Sequence, residues 1–250
     1  MDTAEPSKNE NRADVSQRSD PWYVEWFMMC SALTLFLAYA TWATFQGKDF
    51  KFGPYRSPFY PFDFSFWGLS PALFIFWMPV LFRFTCYYWR RTYYRVYFQD
   101  PAACAVPESK KNYLGENSFP FILQNMHRYF VILAMILLTL HWKGTLSSFF
   151  YQGHFGVGVG NLILLVDSSF LTIYVFSCHA LRHLMAGRLK RFGCSQCSRT
   201  QYRVWTVMSM FNEHHGVWAW ISLFSIIVSD MYVRLLSWGM IKDLNTWKIF

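Results

Sequence analysis

Long apolar stretches alternate along this chain with short, strongly polar ones. Trp26 to Gly47 contains no Asp, Glu, Lys or Arg, and neither does Phe64 to Phe82. Gly144 to Val166 is also free of them, and after the single acid Asp167 the run continues from Ser168 to Leu181. A helix rising about 1.5 Å per residue needs about 20 mostly apolar residues to cross a membrane. The pattern predicts five spans, roughly 22–46, 66–92, 119–142, 158–185 and 212–238. A soluble helix would carry a polar stripe every third or fourth residue. The stretch MMCSALTLFLAYATWATF, from Met28 to Phe45, has none. The expected fold class is all-α, an integral membrane bundle of five transmembrane helices. Residues 22–250 form its single domain, after a disordered cytoplasmic tail at 1–21. No internal repeat is read from the sequence.

Composition agrees with this pattern. Of 250 residues, 54% are hydrophobic, 21% aromatic and only 15% charged, against about 25% charged in a soluble domain. Such an aromatic chain is not disordered as a whole, and 6 Cys are too few for a disulfide scaffold. The net charge of +8 reads as topology and calls for no nucleic acid. The tail (Lys8, Arg12, Arg18), the second connection (Arg90, Arg91, Arg95, Lys110, Lys111, with Arg83 just inside the helix) and the fourth (Arg182, Arg188, Lys190, Arg191, Arg199, Arg203) hold 15 of the 23 basic residues. The positive-inside rule puts these segments in the cytoplasm, the N-terminus inside and the C-terminus outside. Their basic surface suits a partner or anionic membrane lipid. Residues 1–21 are polar and of mixed charge, unlike a cleavable signal peptide. The Pro- and aromatic-rich segment from Gly53 to Phe62 predicts a compact outer loop lying at the membrane interface.

The metal-capable side chains are unevenly placed. Cys86, His127, Cys178, His179, His183, His214 and His215 all fall near the inner ends of spans two to five, and only His141 and His154 fall on the outer side. Such groups are costly in lipid and face a bundle interior or a cavity. A layer of them from several helices is how a bundle holds a buried cofactor. His179 and His183, four residues apart, share a helix face, and Cys178 points about 100° from His179 on a helix of 3.6 residues per turn. A [2Fe–2S] cluster held by two Cys and two His would fit, and so would haem b held by two His. Taken singly, each of these His and Cys reads more simply as an interface or packing residue. The CxxC at Cys194 and Cys197 lacks the second pair that structural zinc requires. Asp167 and Asp230 fall in the outer half of spans four and five. Proton relay is one reading of them, and helix pairing, with Asp230 facing Arg234, the simpler one.

Five segments carry a family resemblance: FGPYRSPFYPF (52–62), FRFTCYYWRRTYYRVYFQDPAACAV (82–106), FPFILQNMHRYF (119–130), CHALRHLMAG (178–187) and FNEHHGVWAWISLFSIIVSDMYVRL (211–235). They resemble the single-chain, cytochrome b-type membrane anchor of actinobacterial-type succinate dehydrogenase, over roughly residues 50 to 245. The resemblance implies the membrane anchor subunit of succinate:quinone oxidoreductase, not catalytic alone. Its implied partners are an iron–sulfur subunit and a flavoprotein subunit that oxidises succinate, and its implied electron acceptor is quinone; a homotrimer of the complex is one assembly open to it. It further implies a Rieske-type [2Fe–2S] cluster in place of haem b. Carried onto this sequence, the candidate ligands are Cys86, Cys178, His127, His179 and His183, with Cys104 and His215 in reserve. The family pattern has Cys just before the FN string, where Val207 and Met210 stand here. Arg128, Tyr129, Tyr87 and Tyr88 are candidate hydrogen-bond donors to quinone. A transporter using Asp167 and Asp230, and a purely structural anchor without a redox cofactor, are the alternatives.

Overall fold

The computed structural model describes residues 21–62, 70–98, 119, 121–187 and 195–247. The expected tail, Cys104 and Cys194 lie outside these residues.

Helix α1 (Tyr23–Gln46) ends at Gly47, whose φ of 66° is the left-handed cap that glycine adopts without strain. A hairpin of β1 (Lys51–Phe52) and β2 (Tyr55–Arg56) follows. Helix α2 (Pro71–Thr85) starts on a proline, whose missing N–H costs nothing there. It is followed by α3 (Tyr87–Tyr93) and one π-turn (Tyr94–Phe98), and this second piece is bent from α2 by 81°. A 3₁₀ turn (Phe121–Met126) leads into α4 (His127–Ser147). A second hairpin, β3 (Phe150–Tyr151) with β4 (His154–Phe155), precedes α5 (Val159–Phe176). Three helices complete the chain: α6 (His179–Ala186), α7 (Gln196–Asn212) and α8 (His215–Ser237).

Four helical stretches, Tyr23–Gln46, Ile122–Ser147, Val159–Phe176 and His215–Ser237, are long and apolar enough to cross a membrane, and the bent α2–α3 pair makes a fifth. The all-α, five-span membrane fold is therefore borne out. Two expected boundaries need correction. The span expected over 66–92 turns at Cys86, and the one expected over 158–185 stops at Phe176. Neither Thr85–Cys86 nor Ser177–Cys178 is charged, so the breaks carry no hydropathy signal of their own. The fourth connection contains α7, a helix absent from the five expected spans, which carries no long apolar run.

Helices α5 and α8 pack along their length, as do α2 and α4, with α4 and α5 joining the pairs. Phe82, Trp89, Val131, Leu138, Tyr174 and Leu223 form the main core, together with the buried Cys86 and Cys178. A second core of Tyr55, Leu164, Val233, Leu236 and Trp247 fills the opposite end. There the Pro-rich loop is compact, as expected. Tyr55 is fully buried and its hydroxyl donates to Asp243 at 2.6 Å. A Cβ on Gly160 would sit 2.7 Å from the Tyr55 ring, so α5 can approach the loop only with glycine there. Asp230 and Arg234, both with fully buried side chains, pair at 2.8 Å, which bears out their reading as a packing pair. Tyr39 and Ser57 also donate to Asp230, tying α1 and the loop to α8.

Candidate metal centre

Both helix breaks fall on a cysteine with a hydroxyl residue before it. Cys86 has φ −66° and ψ 129°, and Cys178 has φ −65° and ψ 130°. Each Cys closes one helix and opens the next. Cys86 N–H bonds Arg83 O at 3.2 Å while its carbonyl accepts from Arg90 N at 2.8 Å. Cys178 repeats this with Val175 at 3.2 Å and Arg182 at 3.0 Å. The hydroxyls bond backwards, Thr85 Oγ1 to Leu81 O at 2.7 Å and Ser177 Oγ to Tyr174 O at 2.9 Å. Such back-bonding bends helices. It leaves each thiol at the start of a new helix, where the backbone N–H groups of Tyr88 and Trp89 face Cys86 and those of Ala180 and Leu181 face Cys178.

The imidazoles arrive from two other helices. His127 is the first residue of α4, and His215 the first of α8. His127 Nδ1 lies 2.9 Å from Thr85 Oγ1, and His215 Nδ1 lies 2.7 Å from Ser177 Oγ. The opposite nitrogens cross over: His127 Nε2 is 3.2 Å from Cys178 Sγ, and His215 Nε2 is 3.5 Å from Cys86 Sγ. Phe82 stacks on His127 at 4.9 Å, and Tyr174 stacks on His215 at 5.2 Å.

These relations correct the expectation of no internal repeat. Phe82-Arg83-Phe84-Thr85-Cys86 followed by Arg90, and Tyr174-Val175-Phe176-Ser177-Cys178 followed by Arg182, share an aromatic, a Phe, a hydroxyl, a Cys and an Arg at the same spacing. After the first break and α3, α4 opens on His127; after the second break and α6, α7 intervenes before α8 opens on His215. The signal escapes a search for long repeats because only five positions carry it.

The thiols of the centre are buried and both imidazoles partly so. Cys86 and Cys178 are 3% and 1% exposed. The Arg83 guanidinium lies 4.5 Å from the Tyr174 ring and 5.7 Å from that of Trp89, and it donates to Ala219 O at 3.2 Å and Ser222 Oγ at 3.1 Å. Among the described residues, the buried Trp89 Nε1 and Tyr174 hydroxyl have no hydrogen-bond partner. Among the described residues no group of three or more His, Cys, Asp or Glu could hold a metal ion. The donors come instead as two Cys–His pairs. Two Cys and two His are the donor set that a [2Fe–2S] cluster of mixed ligation takes. The two orphaned donors suit sulfur acceptors beside them.

Of the ligands expected from sequence, Cys86, Cys178 and His127 meet here. His179 and His183 do not, since both are exposed on α6, past the break that turns them away. His215, held in reserve by the sequence reading, instead lies with its Nε2 3.5 Å from Cys86 Sγ. Cys197 is exposed in the first turn of α7. Of the expected quinone donors, Tyr88 accepts a hydrogen bond from Trp220 at 3.0 Å and packs beside His215. Tyr87, Arg128 and Tyr129 are exposed at the rim. None of the four lines the apolar cavity of about 430 Å³ that adjoins the centre. Phe82, Arg83, Trp89 and Tyr174 line it at the centre, and His141 elsewhere. Sequence reasoning missed Arg83, Thr85 and Ser177 as members of this site; the repeated pattern was the signal that would have found them. Asp167 is fully buried, 3.2 Å from His141, and accepts from Ser225 at 2.5 Å.

A search of curated protein sequences finds no match. The family model described as "Actinobacterial succinate dehydrogenase subunit SdhC" matches residues 24–239. Among solved structures, a chain of the Mycobacterium smegmatis Sdh1 complex in the apo form superposes with a TM-score of 0.83 at 33% identity, covering 92% of this chain and 94% of that one. A match over this much of the chain assigns the family: this multi-pass membrane protein belongs to the actinobacterial SdhC family, the membrane anchor subunits of succinate dehydrogenase.

Proposed function

We propose that this anchor carries electrons from succinate oxidation to quinone through a [2Fe–2S] cluster held by Cys86, Cys178, His127 and His215. The observation that carries this reading is the crossed pair of Cys–His contacts, delivered by four separate helices to one buried layer. Such a cluster exchanges single electrons, and imidazole ligands raise its potential above that of an all-thiolate cluster. The protein's own groups do the rest. Arg83 offsets thiolate charge in a region where uncompensated charge is costly. Phe82 and Tyr174 hold the imidazoles flat and keep water out. Trp89 and Tyr174 offer hydrogen bonds to sulfur, which also tune a cluster's potential.

The iron–sulfur subunit, carrying the flavoprotein subunit with it, docks at the end of the bundle that holds the centre. Arg90, Arg91, Arg128, Arg182, Arg199 and Arg203 gather at that end, and the positive-inside rule makes it the cytoplasmic face, with the N-terminus inside. Quinone needs an apolar slot with a polar group at its carbonyl. The cavity of about 430 Å³ beside Arg83 has that character.

The test is the iron and acid-labile sulfide content of the purified complex, with its optical spectrum. Two irons and two sulfides per anchor beyond those of the soluble subunits support the reading. No excess makes the protein a purely structural anchor, and a b-type haem band replaces the cluster with haem.

A further inference from the structure

The two imidazoles reach the centre through a shared device that determines which nitrogen faces inward. A serine or threonine hydroxyl has one proton to donate and lone pairs to accept with. Thr85 donates its proton to Leu81 O at 2.7 Å, and Ser177 donates its proton to Tyr174 O at 2.9 Å. Both acceptors are backbone carbonyls at the end of a broken helix. With its proton committed, each hydroxyl oxygen can only accept from the imidazole beside it. A proton on Nδ1 of His127, 2.9 Å from Thr85, and on Nδ1 of His215, 2.7 Å from Ser177, completes this arrangement. A neutral imidazole protonated at Nδ1 has a bare lone pair at Nε2. In both halves Nε2 is the nitrogen that faces a thiol.

We propose that Thr85 and Ser177 are positioning residues that hold His127 and His215 as Nδ1-protonated tautomers, making Nε2 of each the nitrogen that binds the metal group. The inference rests on the function proposed above and adds the ligand atom and the residues that select it. Each half of the repeat orients its own imidazole, through its own hydroxyl and its own aromatic ring, toward the thiol of the other half. The centre therefore requires both halves, and a defect in either hydroxyl loosens one imidazole only. Partners that orient a metal-bound imidazole typically contribute 10–100-fold to metal affinity.

The experiment uses the whole complex, grown with histidine carrying ¹⁵N at Nδ1 alone or at Nε2 alone, and pulsed electron paramagnetic resonance of the reduced cluster. Strong coupling to labelled Nε2, with only weak coupling from labelled Nδ1, is the expected result. Strong coupling from Nδ1 overturns the inference while leaving the cluster in place. Absence of any anchor-borne iron overturns the function reading and this inference with it. A second measurement uses substitutions. Thr85→Val and Ser177→Ala remove the acceptor and are expected to raise the iron loss during chelator challenge about 10-fold or more. Thr85→Ser and Ser177→Thr keep the acceptor and are expected to retain wild-type iron and coupling. Wild-type iron retention and coupling in both Thr85→Val and Ser177→Ala overturns the proposal.

Discussion

Phe82 and Tyr174 meet edge to face at 5.7 Å, and behind each ring lies the imidazole it supports, His127 behind Phe82 and His215 behind Tyr174. The two rings occupy equivalent places in the two halves of the repeat, each four residues before a helix-breaking cysteine. The contact between them joins the two halves beneath the centre. Replacing Tyr174 by Phe removes the buried hydroxyl but keeps the ring. The expected outcome is a folded complex with full iron content and a shifted cluster potential, read by redox titration; an unchanged potential would remove Tyr174 from the sulfur environment.

At the opposite end, the Asp230–Arg234 pair lies fully buried in α8, where Tyr39 and Ser57 complete its hydrogen bonds. Asp230→Ala strands the Arg234 guanidinium without its counter-charge. Breaking a buried pair in this way costs about 3–5 kcal/mol. Thermal unfolding of the detergent-solubilised complex should show a clearly lowered midpoint, with the cluster spectrum unchanged before unfolding. Loss of the spectrum in the folded complex would mean that the two ends of the bundle are coupled.

Tyr55 gives this end of the bundle a pH dependence. Burial, followed by the hydrogen bond to and the charge of Asp243, pushes its phenol above the ordinary value of 10.0. The folded state therefore holds the phenol proton more tightly than the unfolded chain. The resulting stability is complete below about pH 10 and is lost as pH rises through the raised value. Tyr55→Phe should lower the unfolding midpoint at neutral pH and flatten its fall in alkali. Parallel curves for the two proteins would show that Tyr55 does not set this dependence.

Gly216 follows His215 and lies against Tyr88, where a Cβ would come within 2.4 Å of the ring. Gly216→Ala must push Tyr88 away from Trp220 and His215. Overpacking of this kind costs about 1–3 kcal/mol. A change in cluster line shape accompanied by a lower unfolding midpoint is expected, and an unaltered spectrum would show that Tyr88 can yield without moving His215.

The spans were legible in the sequence because an uncharged run of this length is what a helix needs to cross the hydrocarbon core of a bilayer. Layering of Cys and His at one end was legible too, since alternating helix directions bring Cys86, His127, Cys178 and His215 to a common level. Which histidine comes to lie beside Cys86 was not. His179, His183, His214 and His215 are equivalent by depth, and only the break at Ser177–Cys178 separates them. It turns α6 outward with His179 and His183, while α8 opens on His215 rather than on His214. That break comes from one hydroxyl bonding back to a carbonyl, which hydropathy does not register. Helix α7 escaped for a related reason. It begins on a Ser195 cap that accepts from Ser198 N at 3.1 Å, yet its basic, mixed composition resembles a connection.

The central claim is that two thiols and two particular imidazoles hold a redox cluster in this anchor. The most direct measurement is electron paramagnetic resonance of the reduced, purified complex from the wild type, His215→Ala and His183→Ala. The account expects a two-iron signal beyond those of the soluble subunits, abolished in His215→Ala and intact in His183→Ala. A signal that survives His215→Ala, or one that disappears with His183→Ala, would contradict it.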